Sequence, residues 1–207
     1  MDKMSVKEHL EMCFDKKLRF WKETFNSNPK IPYIAEIDNN IFIEGTVDDE
    51  GYAQWLPIMQ TRAIDFVSFE NKLGFKLHEQ MKEYLSSHWF LELIGRMAND
   101  ITIYFNKVSD MDDIYSLLFS ELNADTYLIT RGITSGRKLL LIGMATIKGD
   151  DSNAIYFDNE TAEMIFINSD NNILNRAARI AAGDIAGNCI PYKDGLLKEE
   201  KICIMAL

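Results

Sequence analysis

The sequence predicts an α+β fold in which a mainly antiparallel sheet is flanked by helices within a single domain. Two observations support this prediction. Helical spacing of apolar residues is frequent up to Ser87, whereas from Trp89 onward short apolar runs alternate with turn residues, which is typical of hairpins. This order favours α+β over a doubly wound parallel sheet. A length of 207 residues suits one domain, 1–207, and no linker or repeat divides it.

Helices are predicted to dominate the N-terminal part. Apolar residues recur every three or four positions in the first 25 residues, and this helix should end before Pro29, because proline disfavours helical geometry in the residue before it. Gly74 suits the C-terminal cap of a later helix. The expected elements are a helix at 4–25, a strand at 41–43, an acidic turn at 48–51, a helix from Phe66 to Gly74 and a helix at 77–87.

Strands are predicted to dominate the remainder. Residues 89–94 and 101–105 suit a hairpin, and Ser109 with Asp112 resembles a capping box that starts another helix. The further expected elements are strands at 127–129, 139–147, 154–157 and 162–167, a helix at 171–186 and an irregular C-terminal tail at 188–207. The core of the domain is therefore expected within 35–186.

The charge balance bears on the class of partner. The chain has 32 acidic and 22 basic residues, a net charge of −10. Binding to a phosphate backbone needs clustered Lys and Arg, so we expect no nucleic-acid partner. Surplus negative charge instead favours attraction to a basic protein surface. Apolar runs such as Leu139–Ile142 are far too short to span a bilayer, so we expect no membrane insertion.

The cysteines and the N-terminus predict a cytoplasmic protein. Cys13, Cys189 and Cys203 lack metal-ligand spacing, and an odd number suits a reducing compartment better than a disulfide framework. Cys13 lies on the apolar stripe of the first helix and is expected to be a buried, inert thiol. The first residues lack the basic and apolar regions of a secretory signal.

The motif search predicts no catalytic residue, no cofactor and no metal site. His78 and His88 are ten residues apart, whereas a helical zinc pair needs a spacing of four, and His9 has no visible partner. The segment from Gly132 to Lys138 differs from a phosphate-binding loop in its spacing and suits a hairpin turn. A hydrolase or nucleotide-binding enzyme with dispersed catalytic residues stays open as an alternative.

Two short motifs, in a fixed order, carry a family resemblance. An acidic turn runs into the Trp-x-Pro sequence at Trp55–Pro57, and a helix then carries Glu-x-x-Leu-Gly from Glu70 to Gly74. Paired strands, a capped helix and further hairpins follow as far as Ala186. In this order the chain resembles the Syd family of SecY-interacting proteins, within the SUKH superfamily.

The resemblance implies a non-enzymatic cytoplasmic binding protein. Syd-like proteins associate with the cytosolic face of the SecY translocon, whose loops are basic, so the chain would lie peripherally at the inner face of the membrane through its partner. Many SUKH relatives are instead immunity proteins that neutralise polymorphic toxins. The negative charge agrees with both partners, and the sequence leaves the choice and the oligomeric state open.

The partner-binding residues are expected in three places. The acidic turn would steer a cationic partner. Trp55 and Pro57 match the family pattern, with core packing as the competing explanation. Trp89 and Glu92 are expected on the same strand and would form a groove for a basic side chain. The candidate residues are Asp48, Asp49, Glu50, Trp55, Pro57, Trp89 and Glu92.

Overall fold

The first helix, α1 (Val6–Phe25), confirms the predicted N-terminal helix. The computed structural model describes residues 4–37, 40–97, 101–119 and 138–168. A capping box starts α1, because the Ser5 hydroxyl accepts from the Glu8 N–H while the Glu8 carboxylate accepts from the Ser5 N–H. Asn26 ends the helix in the left-handed conformation. The buried residues of α1 are Val6, His9, Leu10, Cys13, Phe14 and Lys17.

Two shorter helices, α2 (Phe66–Leu73) and α3 (Glu79–Ser87), follow in the middle of the chain. Asp65 caps α2 by accepting a hydrogen bond from the Ser68 N–H. Gly74 ends α2 at a φ of 76°, a left-handed conformation that glycine adopts without steric cost, as the sequence predicts. The two predicted helices in this region are therefore confirmed.

The first half of the chain also contains two small antiparallel sheets. They consist of β1 (Lys30–Pro32) paired with β2 (Tyr52–Gln54), and of β3 (Ile58–Met59) paired with β4 (His88–Trp89). The segment at 42–43 lies along the other edge of β2. Phe42 forms an isolated bridge with Trp55, and the Ile43 N–H donates to the Gln54 carbonyl. The predicted strand at 41–43 is thus reduced to a single bridge.

A five-stranded antiparallel sheet forms the larger part of the fold. Its strands are β5 (Leu93–Met97), β6 (Ile101–Phe105), β7 (Leu139–Ile147), β8 (Asp150–Asp158) and β9 (Glu163–Asn168), each paired with the next in chain order. β6 and β7 approach closely at Gly143, where an added Cβ would overlap with the carbonyl oxygen of Tyr104. Because every pairing is antiparallel and helices accompany the sheet, the α+β class is confirmed.

The helices cover one face of this sheet. The fourth helix, α4 (Met111–Phe119), joins α1 and α3 in one hydrophobic cluster with alternate residues of β7, β8 and β9. Trp55, Tyr84 and Phe90 are among the largest side chains that are fully buried in it. The sheet residues in this cluster include Leu140, Ile142, Ile155, Phe157, Met164 and Phe166.

The opposite face of the same strands is also apolar. Tyr156 lies between Ile155 and Phe157 on β8, so its side chain points to the other face of the sheet. A second buried cluster has its centre there, and none of the helices α1–α4 contributes to it. Its members are Leu139, Tyr156 and Ile167, with Leu141, Ala154 and Ile165 packed against them.

The predicted strand at 89–94 is wrong. Trp89 belongs to β4 and Leu93 starts β5, and these strands lie in different sheets. Between them Phe90 bridges Val108, which turns the chain from one sheet to the other. The apolar run contains no glycine or proline before Gly95 that would mark this turn. The hairpin that follows, β5 with β6, is confirmed.

The predicted capping box at Ser109 and Asp112 is displaced by one residue. The Asp113 carboxylate accepts hydrogen bonds from the N–H and the hydroxyl of Ser109, and the Asp113 N–H donates to Asp110. The cause is that α4 begins at Met111, so Asp110 precedes the first helical turn.

Several sequence predictions fall outside the described residues. These are the strand at 127–129, the hairpin turn from Gly132 apart from Lys138, the helix at 171–186 and the tail at 188–207. Among the helices within residues 4–168 that are described, none is long and apolar enough to cross a bilayer.

Candidate binding surface

The acidic turn predicted at 48–51 lies directly before β2, and hydrogen bonds to Asp48 hold it together. The Asp48 carboxylate accepts hydrogen bonds from the N–H groups of Glu50 and Tyr52, at 3.2 and 2.9 Å. The Lys30 ammonium lies 2.8 Å from the same carboxylate. The hydrogen bond from Lys30, with those from the backbone, lowers the pKa of Asp48. Asp48 therefore organises the turn, and its charge is already paired with Lys30.

The neighbouring carboxylates are different. Asp49 and Glu50 are exposed at the tip of the turn, and Glu36 and Glu44 are exposed on the preceding loops. None of these four carboxylates takes part in an ion pair within the described part of the chain. The sequence explains this, because no Lys, Arg or His occurs from Ile31 to Thr61. Lys30, directly before this segment, pairs with Asp48, and the charges of these four carboxylates are left without a partner in the described part of the chain.

Exposed apolar side chains accompany these acids. Tyr33, Ile34, Val47 and Tyr52 are each 38–52% exposed, although large apolar side chains are usually more buried. Two backbone hydrogen bonds hold this part of the chain together: the Tyr33 N–H donates to the Gly51 carbonyl, and the Asp48 N–H donates to the Tyr52 carbonyl. We call this set, with Glu36, Glu44, Asp49 and Glu50, the hairpin surface. Sequence analysis identified only its acidic turn.

Trp55, proposed from the family pattern, does not lie on this surface. Its side chain is fully buried, so core packing explains it, and Pro57 is half-buried beyond β2. The indole N–H of Trp55 has no hydrogen-bond partner among the described residues. The Lys17 ammonium lies 4.9 Å from the centre of its ring, a cation–π distance.

Trp89 and Glu92 do not form the predicted groove. They fall on opposite sides of the turn between β4 and β5, and Trp89 packs partly against the main core. The Glu92 carboxylate lies 2.5 Å from the Lys17 ammonium, which also donates to the Glu92 carbonyl at 3.1 Å. Burial lowers the pKa of Lys17, although Glu92 acts in the opposite direction. Glu92 thus holds a basic side chain of its own chain.

A buried carboxylate, that of Glu70, belongs to the Glu-x-x-Leu-Gly element. It accepts from the ammonium groups of Lys76 and Lys82, at 2.7 and 2.9 Å, and from the Leu77 N–H. These hydrogen bonds lower the pKa of Glu70 to about 2. Glu70 therefore fixes the connection between α2 and α3, a role that sequence reasoning missed because the motif alone does not show which lysines approach it.

Each of the three histidines contacts other residues of the fold. His78 caps α3 by accepting from the Gln80 N–H, and His9 contacts the Ser5 carbonyl through Nδ1 at 2.8 Å. His88 is buried beside Phe14, with 5.3 Å between the ring centres. Burial lowers the pKa of His88. No group of three His, Cys, Asp or Glu residues suited to a metal ion occurs in the described ranges.

Cys13 corrects one expectation. It is buried on α1, as its position on the apolar stripe predicts, but it is disulfide-bonded and therefore not a free thiol. Cys189 and Cys203 lie outside the described residues. The disulfide removes the cysteine argument for a reducing compartment, so the cytoplasmic location stays a prediction.

Comparison of the sequence with known protein-family models and with curated proteins finds no match.

Proposed function

We propose that this chain is a non-enzymatic module that binds a basic surface of another protein. The single observation that carries the proposal is the segment from Ile31 to Thr61, which contains acidic residues and no basic residue. Four of its carboxylates are exposed and unpaired within the described part of the chain. Such a local excess of negative charge accelerates association with a cationic partner and favours it over other partners.

Several acids outside this segment are paired within the chain. Glu70 and Glu92 are paired with lysines of the same chain at 2.5–2.9 Å, and Asp113 pairs with Lys107 at 3.0 Å. The charges of those carboxylates are neutralised by lysines within the fold, so they contribute little to the attraction of a cationic partner. The four exposed acids described between Ile31 and Thr61 take part in no ion pair with the described residues, which supports a role in recognition.

The resemblance to the Syd family makes the basic cytoplasmic loops of SecY the first partner to test. In this proposal the protein is cytoplasmic and lies at the inner face of the membrane only while it is bound to its partner. The experiment measures binding of the purified full chain to vesicles that contain SecY and to vesicles of the same lipids alone.

We expect binding only to the vesicles with SecY, and we expect it to weaken as salt concentration rises. In parallel, immobilised chain is incubated with cell lysate at low and high salt, and captured proteins are purified and tested for direct binding. A basic toxin as the captured partner would replace SecY but keep the proposed class of function. Direct binding to no basic protein, or turnover of a metabolite by the purified chain, would contradict the proposal.

A further inference from the structure

The disulfide of Cys13 joins the beginning of the chain to its end. Cys13 lies in the first half of α1 and is disulfide-bonded. The sequence contains two other cysteines, Cys189 and Cys203, and both follow the last described strand, β9. By elimination, the partner of Cys13 within this chain is one of these two. The bond therefore connects α1 covalently to the C-terminal part of the chain.

The third cysteine makes this bond exchangeable. One disulfide uses two of the three cysteines and leaves one thiol, whereas a purely structural set of disulfides uses an even number. A thiolate exchanges with a disulfide by attacking one of its sulfur atoms. Because the remaining thiol belongs to the same chain, its attack is intramolecular and has the advantage of a high effective concentration.

The surroundings of Cys13 suit both the bonded and the reduced state. Its side chain is 3% exposed and belongs to the main hydrophobic cluster, together with Leu10 and Phe14 of the same helix. A protonated cysteine behaves as a small apolar side chain, so the reduced form also suits this position. Independently of the disulfide, α1 is held by its capping box and by the ion pair of Lys17 with Glu92. Opening the disulfide therefore changes the attachment of the C-terminal part and leaves α1 in place.

We propose that the Cys13 disulfide is a redox-sensitive tether, which attaches the C-terminal part of the chain to α1 and is released by exchange with the third cysteine. The thiolate of that cysteine attacks the sulfur of the residue bonded to Cys13. A bond forms between Cys189 and Cys203, the bond to Cys13 breaks, and Cys13 leaves as a thiolate that takes up a proton. This step involves no net oxidation. In a reducing medium, two glutathione thiols then reduce the bond between Cys189 and Cys203, and one glutathione disulfide is formed.

Peptide mapping tests the connection directly, because trypsin separates the three cysteines. Cleavage after lysine and arginine yields the peptides 8–16, 180–193 and 202–207, each with one cysteine. The full chain is equilibrated with mixtures of reduced and oxidised glutathione, alkylated, digested without reductant and analysed by mass spectrometry. With excess oxidised glutathione, we expect peptide 8–16 to be linked to 180–193 or to 202–207. As the share of reduced glutathione rises, a link between 180–193 and 202–207 should replace it, followed by three alkylated peptides.

A serine variant tests the role of the third cysteine. The cysteine that mapping finds unlinked is replaced by serine, and loss of the Cys13 link is followed over time at low glutathione concentration. The link should still form and should be lost about tenfold more slowly than in the unmodified chain, since only glutathione can then attack it. An unchanged rate of loss would overturn the exchange step.

Brief digestion of the native protein tests whether the bond restrains the C-terminal part. In Cys13→Ala, and in the reduced unmodified chain, trypsin should cut after Lys193 at least about fivefold faster than in the oxidised unmodified chain. Cleavage after Lys22, an exposed residue of α1, is the control and should be equally slow in all three. The reduced unmodified chain makes the comparison independent of any effect of the substitution on folding.

The inference is overturned if Cys13 is alkylated under excess oxidised glutathione, if its peptide is linked to a second copy of the chain, or if cleavage after Lys193 is equally fast in the linked and reduced proteins. None of these measurements involves a binding partner. The tether therefore stands or falls separately from the proposed function, which is tested by binding to a basic protein.

Discussion

The ammonium of Lys17 on α1 and the carboxylate of Glu92, just before β5, form an ion pair at 2.5 Å with the lysine side chain only 9% exposed. The pair connects the first helix to the entry of the large sheet across 75 residues of sequence. The ring of Trp55 also lies close to this ammonium, with 4.9 Å from the ammonium nitrogen to the ring centre. Burying a lysine is unfavourable unless a carboxylate compensates it, so Glu92 makes the buried position of Lys17 tolerable.

Removing Glu92 should therefore destabilise the fold. We expect Glu92→Ala to lower the free energy of unfolding by about 2–4 kcal/mol, because it leaves the Lys17 charge buried without its partner. The double variant Lys17→Met/Glu92→Gln should recover most of this loss, since no buried charge remains. Denaturant unfolding measures both. In the exposed pair of Lys7 and Glu11, the change Glu11→Ala should cost less than about 1 kcal/mol. Equal costs at Glu92 and Glu11 would contradict the prediction.

His88 predicts a loss of stability on mild acidification. Burial lowers its pKa in the folded state, so below the ordinary value of 6.5 the unfolded chain binds the proton more readily. The free energy of unfolding should fall as the pH drops from 6.5 towards the lowered folded pKa, and should be constant above 6.5 as far as this group is concerned. Glu11 opposes the shift and Lys7 adds to it. The variant His88→Phe should have a flatter profile over this range, and parallel profiles for the two proteins would exclude His88 as the cause.

Glu70 predicts a second loss of stability at lower pH. Its folded pKa of about 2 lies below the ordinary value of 4.5, so the stabilisation is complete above 4.5 and disappears as the pH falls towards 2. At neutral pH, Glu70→Gln should lower the free energy of unfolding by about 1–3 kcal/mol, because two lysines lose their charged acceptor. Its unfolding should depend less on pH between 4.5 and 2. A variant as stable as the unmodified chain at pH 7 would argue against this role.

Gly143 predicts a steric limit between β6 and β7. A Cβ at this position would overlap with the Tyr104 carbonyl oxygen and lie 3.0 Å from the Phe105 Cα, both of which are backbone atoms. Gly143→Ala should lower the free energy of unfolding by about 1–3 kcal/mol, because these strands must separate to accept the methyl group. Met144→Ala, at an exposed neighbour, should change it by less than about 1 kcal/mol. Thermal unfolding of the two variants decides between a steric effect of Gly143 and a general sensitivity of β7.

The elements that could be predicted from the sequence are those with local signals. Periodicity and Gly74 mark α1 and α2, and short apolar runs bounded by turn residues mark β7 and β9. The break between β4 and β5 could not be predicted, because the Phe90 bridge to Val108 is a long-range contact without a turn residue to announce it. Residues 89–94 contain no glycine or proline at the point where the chain leaves one sheet and enters the next.

The candidate surface shows the same division. The acidic turn was visible as three adjacent acids, but its pairing was not, because the Asp48 contact with Lys30 joins residues on different segments. Glu92 was expected to serve a partner and instead holds Lys17, since the sequence does not show which helix packs beside it. The absence of bases between Ile31 and Thr61 was readable from the sequence and is the signal that could have identified the whole surface.

The two-sided burial of β7, β8 and β9 has a practical consequence for work with fragments. Leu139, Tyr156 and Ile167 need shielding from water on the side of the sheet away from the helices. A fragment that exposes these side chains would present an apolar surface and would aggregate at the concentrations that spectroscopy requires. Binding studies are therefore better made on the intact chain, in which nonspecific association does not arise from an apolar surface that truncation has exposed.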